Sequence, residues 1–186
     1  MKSYEEVREY VKKRLSEKRF YHSECVEERC IELAKIYSVD ENKAKLIGIA
    51  HDVAKEMSIE EKIEFIRKNN ITVDIIEKKS PELLHASIGA KICEIEFGFS
   101  KDMVEAIRNH TTGKAGMDML SKILYIGDST SKDRKYDDAK KWYELAKINI
   151  DQAILECLNK TIQKCITEEK SIHLDTVKAR NEYYAQ

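Results

Sequence analysis

Helix breakers are scarce in this chain, with one proline and six glycines in 186 residues. No stretch reads as a linker, and a single domain with a sizeable core is expected over residues 1–186. Long apolar runs are missing too. None reaches the roughly 18 residues that a membrane-spanning helix needs. The N-terminus, MKSYEEVREYVKKRL, alternates charges and has no apolar signal core. A cytoplasmic protein with no membrane partner is the expectation. The charge is nearly balanced, at a formal −1, which points away from a general nucleic-acid partner. The five cysteines are odd in number and form no CxxC pair. That argues against a disulfide framework and against a structural zinc site. Cys25 and Cys30 lie on an amphipathic run and read as reduced core residues.

Strand signals are weak. NNITVDII has some β character but no evident partner. Helical spacing dominates instead. Tyr4, Val7, Val11 and Leu15 repeat at helical intervals, as do Val26, Cys30, Leu33 and Tyr37, and then Leu46, Ile49, Ala50 and Val53. Ser58-Ile59-Glu60-Glu61 has the form of a capping box. Ser80-Pro81 offers a cap before a proline at the first helical position. Ser100 is placed to cap the run that holds Met103, Val104 and Ile107, while Gly98 and Gly113 look like helix stops. Residues 138–168 read as one long helix or two short ones with a break near Asn149, and IHLDTVKARNEYY reads as a last helix. The expectation is an all-α, single-domain bundle of about eight helices.

The informative residues are polar ones in apolar places. In IGIAHDVAKEM an imidazole and a carboxylate, His51 and Asp52, interrupt an apolar, helix-like run. Burying either costs several kcal/mol unless it is paired or bound. His22, His85 and His110 sit in similar settings, on or beside the apolar stripe of a helix, and Asp128 follows Leu124 by one turn. His173 lies in the tail without such company. A lone histidine near a core is ordinarily a hydrogen-bonded structural residue, and Asp128 alone reads equally as a cap. Together, these imidazoles and two carboxylates can converge when the helices bundle, and a divalent metal would compensate their burial. Imidazole with carboxylate, and no thiolate, suits iron, manganese, zinc, cobalt or nickel. Such a set exceeds what one open catalytic ion needs. It is enough for two ions sharing a bridging carboxylate, with Asp52 as the natural bridge.

At this His-Asp pair the sequence resembles the HD-domain metal-dependent phosphohydrolases. That superfamily is named for an adjacent His-Asp, with an earlier His and a later Asp, and His22, His51-Asp52 and Asp128 occur in that order. RFYHSECV, HDVAKEM, PELLHASIGA, AIRNHTTGKAGM and IHLDTVKARNEYY further resemble successive blocks of its YqeK-type branch, from about residue 19 to 184. The resemblance implies an HD-type bundle with a metal-binding core over about 19–135 and C-terminal helices, about 138–186, packed on it. It implies a symmetrical bis(5'-nucleosyl)-tetraphosphatase, which hydrolyses diadenosine tetraphosphate to two ADP. The branch's metal positions fall on His22, His51, Asp52, His85, His110 and Asp128, holding a pair of ions, often iron. Lys55 and Arg134 match a lysine after the His-Asp pair and an arginine after the last Asp.

A metal pair lowers the pKa of a bound water and shields phosphate charge, so no serine or cysteine nucleophile is needed. Asp52 and Lys55 are the expected catalytic residues. Lys55, one turn past His51, can reach a phosphate or be a solvated surface lysine. Arg134 suits a phosphate clamp, although SKDRKYDD is equally a charged loop. Thr111, Thr112 and Gly113 either turn backbone N–H groups toward phosphate or form an ordinary helix C-terminus. One block departs from the branch. Where an apolar residue and an Ile-Glu-Pro-like stretch are common, this chain reads GDSTSKDR, with Ser129, Thr130, Ser131 and Lys132 substituted. The ligand Asp128 is retained; substrate contacts and loop rigidity are what the change touches. The alternatives are an HD-type phosphohydrolase of another nucleotide, a nucleotide-binding regulator without turnover, and a helical interaction protein with structural histidines. Trp142 and Tyr143 suit either the core or a homodimer interface.

Overall fold

Capping chemistry starts most of the helices. In the computed structural model, which describes residues 1–185, the Ser3, Ser58 and Asp74 side chains each accept the backbone N–H three residues ahead, and the glutamate there accepts in return. Such reciprocal boxes satisfy donors that a helix N-terminus otherwise leaves unpaired. The described residues form α1 (Tyr4–Lys12), α2 (Glu17–Ile36), α3 (Glu41–Ala50), α4 (Ile59–Lys68), α5 (Ile75–Lys79), α6 (Leu84–Ile92), α7 (Lys101–Asn109), α8 (Met119–Ser129), α9 (Asp137–Ala146), α10 (Ile150–Thr167) and α11 (Leu174–Tyr184). A 3₁₀ turn at Pro81–Leu83 and a π-helical turn at Cys93–Phe97 complete the set. No strand occurs among the described residues.

The class is all-α as expected, but with eleven α-helices in place of about eight. Local polar signals account for the difference. Asn149 caps α10 through Gln152 N and so separates it from α9. In NNITVDII, Asn70 takes a positive φ of 49° after α4, and the Asp74 box then opens α5. A β-branched run with no partner strand has nothing to pair with, and the cap decides. Two expected caps are absent. The Ser80 side chain makes no capping bond, and the Ser100 hydroxyl turns to Asp102 Oδ1 at 2.5 Å instead. Gly98 (φ 68°) and Gly113 (φ 66°) do take the left-handed conformation that ends helical segments.

The long helix α2 is the spine, with α3 and α8 packed along it. The α6 and α7 helices pair with each other, and α7 packs on α8. On the far side of α8 lies α10, which also carries α9 and α11. Leu33, Ile47, Ile88, Ile107, Ile123, Leu124 and Ile126 are fully buried where these helices meet. Cys25 and Cys30 are buried free thiols, and Trp142 is a core residue. Among the described residues, no helix is long and apolar enough to cross a membrane.

Two glycines set how closely α2 is approached. A Cβ at Gly48 would stand 2.6 Å from Glu27 Cα, and one at Gly127 would stand 2.8 Å from Cys30 Sγ. Both positions are next to the polar residues of interest: Gly48 lies one turn before His51, and Gly127 precedes Asp128. Helical glycine costs about 1 kcal/mol relative to alanine, so these are retained for contact. Gly48→Ala is expected to destabilise the protein. Overpacking against backbone costs about 1–3 kcal/mol, which outweighs the helix-propensity gain. Urea denaturation should show a lower midpoint at unchanged slope; an equal or higher midpoint would show that the close contact is not needed.

Candidate active site

Helix ends supply most of this site. His51 directly follows α3, His110 directly follows α7, and His85 stands in the first turn of α6 beside the 3₁₀ turn. Each of these rings turns Nδ1 to the carbonyl three residues before it, in the last turn of α3 or α7 or in the 3₁₀ turn ahead of α6. His51 Nδ1 lies 2.7 Å from Gly48 O, His110 Nδ1 2.6 Å from Ile107 O, and His85 Nδ1 2.5 Å from Glu82 O. A carbonyl only accepts, so Nδ1 carries the proton in all three neutral rings. Nε2 is then a bare lone pair aimed into the protein. His22 is different. It lies inside α2, and its Nδ1 meets Asp133 Oδ2 at 2.9 Å.

The six expected ligands do come together. His22 Nε2 is 3.1 Å from Asp128 Oδ1, and His51 Nε2 is 3.5 Å from Asp52 Oδ2. Asp52 Oδ1 is 3.1 Å from His85 Nε2 and 3.7 Å from His110 Nε2. The Nε2 atoms of His85 and His110 are themselves 3.2 Å apart. Donor atoms of His22, His51 and Asp128 lie within 4.8 Å of one another, and so do those of His51, Asp52 and His110. All four histidines and Asp52 are buried. His51 Nε2 and Asp52 Oδ1 are buried without a hydrogen-bond partner. An unpaired buried acceptor of this kind costs on the order of 1–3 kcal/mol. Lone pairs facing one another at these distances repel unless a cation lies among them, so this donor set fits a divalent metal.

The electrostatics agree. Burial opposes ionisation of Asp52, but wherever the surrounding rings carry an Nε2 proton the His51 charge and the His110, His51 and His85 hydrogen bonds outweigh it and hold the carboxyl well below its usual range. Burial likewise opposes the Asp128 carboxylate; the His22 hydrogen bond and the Arg134 charge outweigh it there. Burial pushes the His85 imidazole down to about 4, against the pull of Asp52. Near neutral pH, then, His85 is uncharged and both carboxylates are ionised, which are the forms that ligate metals.

Three cations surround the carboxylates. Lys55 Nζ is 3.2 Å from His85 Nε2 and 4.0 Å from Asp52 Oδ1. It arrives from a different geometry than expected. The α3 helix ends at Ala50, and successive i+3 bonds, Val53 N to Ala50 O and Lys55 N to Asp52 O, fold Lys55 back in a tight turn. Arg134 donates Nε to Asp128 O at 3.0 Å and pairs with the Asp128 carboxylate through Nη2. Arg19 pairs with Asp52 Oδ2 at 3.1 Å. Arg19 and Asp133 were not expected from the sequence. Arg19 carries a weak signal, lying one turn before His22 on α2; Asp133, in the loop after α8, carries none.

Beside His110, Thr111 and Thr112 line a cavity of about 210 Å³ with Ser87, Arg108 and Asn109. Gly113 N donates to Asn109 O at 2.9 Å, and Thr112 O accepts the Thr176 hydroxyl at 2.8 Å. His173, expected to stand alone, instead caps α11 through Asp175 N and pairs with Asp74 at 2.7 Å.

Comparison with known proteins follows the same lines. A family model described as the HD domain matches residues 19–158. A symmetrical bis(5'-nucleosyl)-tetraphosphatase of Halalkalibacterium halodurans is 36% identical over 173 residues, 92% of either chain. The protein of that name from Bacillus subtilis is 31% identical over the same share. The crystal structure of a predicted HD superfamily hydrolase involved in NAD metabolism, from Clostridium acetobutylicum, matches with a TM-score of 0.95 at 31% identity. It covers 100% of this chain and 98% of that one.

The His85 shift predicts a pH dependence. The unfolded chain takes up a proton on this residue near the ordinary histidine value of 6.5, the folded chain only near about 4. Between those values the unfolded state binds more protons, so stability falls as pH falls. Urea midpoints of the metal-free protein should drop from pH 6.5 to 4, and His85→Gln should flatten that slope. Identical slopes in the two proteins would contradict a neutral, buried His85.

Proposed function

The chain belongs to the HD-domain family, and from that premise we propose that it hydrolyses phosphoanhydride bonds of dinucleoside polyphosphates, splitting diadenosine tetraphosphate into two ADP. The named activity of its relatives, matched along 92% of either chain, supports this substrate. The observation that carries the reading is the convergence of these imidazoles and carboxylates, with His51 Nε2 and Asp52 Oδ1 buried and unpartnered among them.

In this reading one HD-type domain holds a dinuclear centre, of iron or of manganese, cobalt, nickel or zinc. His22, His51, Asp52 and Asp128 would hold one ion, and His85 and His110 the other, with Asp52 shared between them. When bound, the metals supply an activated water and neutralise phosphate charge. The balance of the reaction is simple: a water oxygen bonds to one of the two central phosphorus atoms, the bridging P–O bond breaks, and ADP departs on each side.

The chain's own contribution is charge placement. Arg19 and Arg134 lie on ligand carboxylates and Lys55 lies against His85. With those ligands engaged by metal, these basic groups would be free to take phosphate oxygens. Lys55 would do so as a point charge. Arg134 offers a planar fork to a phosphate. Thr111, Thr112 and Gly113 shape the turn beside His110, and the two threonines line the neighbouring cavity with Arg108 and the acidic Asp74, Glu77 and Asp175.

Product analysis with diadenosine tetraphosphate is the deciding experiment. Two ADP are expected; ATP with AMP would contradict symmetrical cleavage. Loss of a residue that merely supports a metal ligand costs about 10–100-fold, so His51→Ala should cost more than about 100-fold in rate. His85→Ala with His110→Ala should lower the metal content by one ion per chain; unchanged content and rate would refute the two-metal assignment. Lys55→Met should lower kcat while metal content stays constant, and unaltered kinetics would remove Lys55 from the phosphate site.

A further inference from the structure

His22 has a problem that the other ligand histidines do not. His51, His85 and His110 each place Nδ1 on the carbonyl three residues earlier, at the end of a helix or in the 3₁₀ turn before one. His22 lies in the interior of α2, where the preceding carbonyls are engaged in the helical ladder. Its ring also sits between two carboxylates, with Asp133 2.9 Å from Nδ1 and Asp128 3.1 Å from Nε2. A neutral imidazole has one proton. If Asp128 takes it, Nε2 is no longer a donor and His22 cannot ligate. If Asp133 takes it, the Nε2 lone pair faces His51 and Asp128.

The loop that carries Asp133 is built to hold it. The Ser131 hydroxyl donates to Asp133 Oδ1 at 2.7 Å, leaving Oδ2 for His22. Thr130 and Ser131 are buried. The Thr130 hydroxyl donates to Ile126 O at 2.7 Å, and Arg29 of α2 donates Nε to Thr130 O at 3.1 Å. Lys132 adds an ion pair to Glu28 at 2.7 Å. The loop is thus tied to α8 and to the same helix that bears His22. This loop includes the Ser129–Lys132 stretch singled out in the sequence.

We propose that Asp133 is the positioning residue for His22: held by Ser131, it keeps the ring proton on Nδ1 and so presents Nε2 to the metal. The proposal rests on His22 being a ligand. A carboxylate on the distal nitrogen also raises the donor strength of the ligating one.

The test is metal affinity, measured by titrating the metal-free protein with Mn²⁺ and following the free ion by electron paramagnetic resonance. Asp133→Ala is expected to weaken binding at one ion about 10–100-fold. Asp133→Asn, whose amide oxygen still accepts from Nδ1–H, should recover most of that loss. Ser131→Ala, which keeps the carboxylate and removes its anchor, should lie between wild type and Asp133→Ala. In the Zn²⁺-loaded wild-type protein, ¹⁵N spectra should place a slowly exchanging proton on His22 Nδ1. His22→Ala separates the two levels of the argument. If it loses a metal while Asp133→Ala binds like wild type, the positioning role falls and the centre stands. If it binds like wild type, the metal centre itself falls. Should Asp133→Ala fail to fold, Ser131→Ala and the wild-type ¹⁵N spectrum decide: wild-type affinity in the former, or a His22 proton on Nε2 in the latter, overturns the proposal.

Discussion

Everything in this structure turns on buried lone pairs that face one another. Three imidazoles donate Nδ1–H outward to backbone carbonyls and turn Nε2 toward Asp52. Folding must keep these groups out of water with few donors among them, and His51 Nε2 and Asp52 Oδ1 have none. A protein of ordinary composition tolerates that only where something else compensates. Arg19, Arg134 and Lys55 do so in part, and a metal does so more fully.

The bundle serves that constraint through close contact. The α2 helix presents His22, and α3 and α8 are pressed against it at Gly48 and Gly127, where no Cβ fits. His51 and Asp128 follow those glycines in sequence, so the tightest helix contacts lie beside two members of the polar cluster. The α6–α7 pair completes the ring from the other side, with His85 at the start of one helix and His110 at the end of the other. Helix ends and the 3₁₀ turn serve this site by offering carbonyls that orient three of the rings. His22, inside a helix, meets a loop carboxylate instead.

That loop changes how the chain's departure from its branch reads. As sequence, Ser129–Lys132 looked like a loss of apolar, acidic and proline positions. In three dimensions the Ser131 hydroxyl holds Asp133 at the back of His22, and the Thr130 hydroxyl ties the loop to α8. The stretch thus meets the polar cluster from behind His22, while the cations against its carboxylates and His85 are Lys55, Arg134 and Arg19.

The sequence by itself determined the helices, since periodicity and capping act within a few residues: the Ser58 box and the Asn149 break needed no tertiary partner to be read. It also determined the ligand types and their order, because a histidine in an apolar stripe is conspicuous whatever surrounds it. Helix number was less legible, since short elements such as Ile75–Lys79 begin at a single aspartate. Only the tertiary structure decided which nitrogen of each ring is bare, that Lys55 returns from a tight turn, that Arg19 reaches Asp52, and that His173 clasps Asp74. Those facts join residues up to 111 positions apart, as with His22 and Asp133. No local pattern encodes such a distance; the packing of α2 against α3 and α8 does.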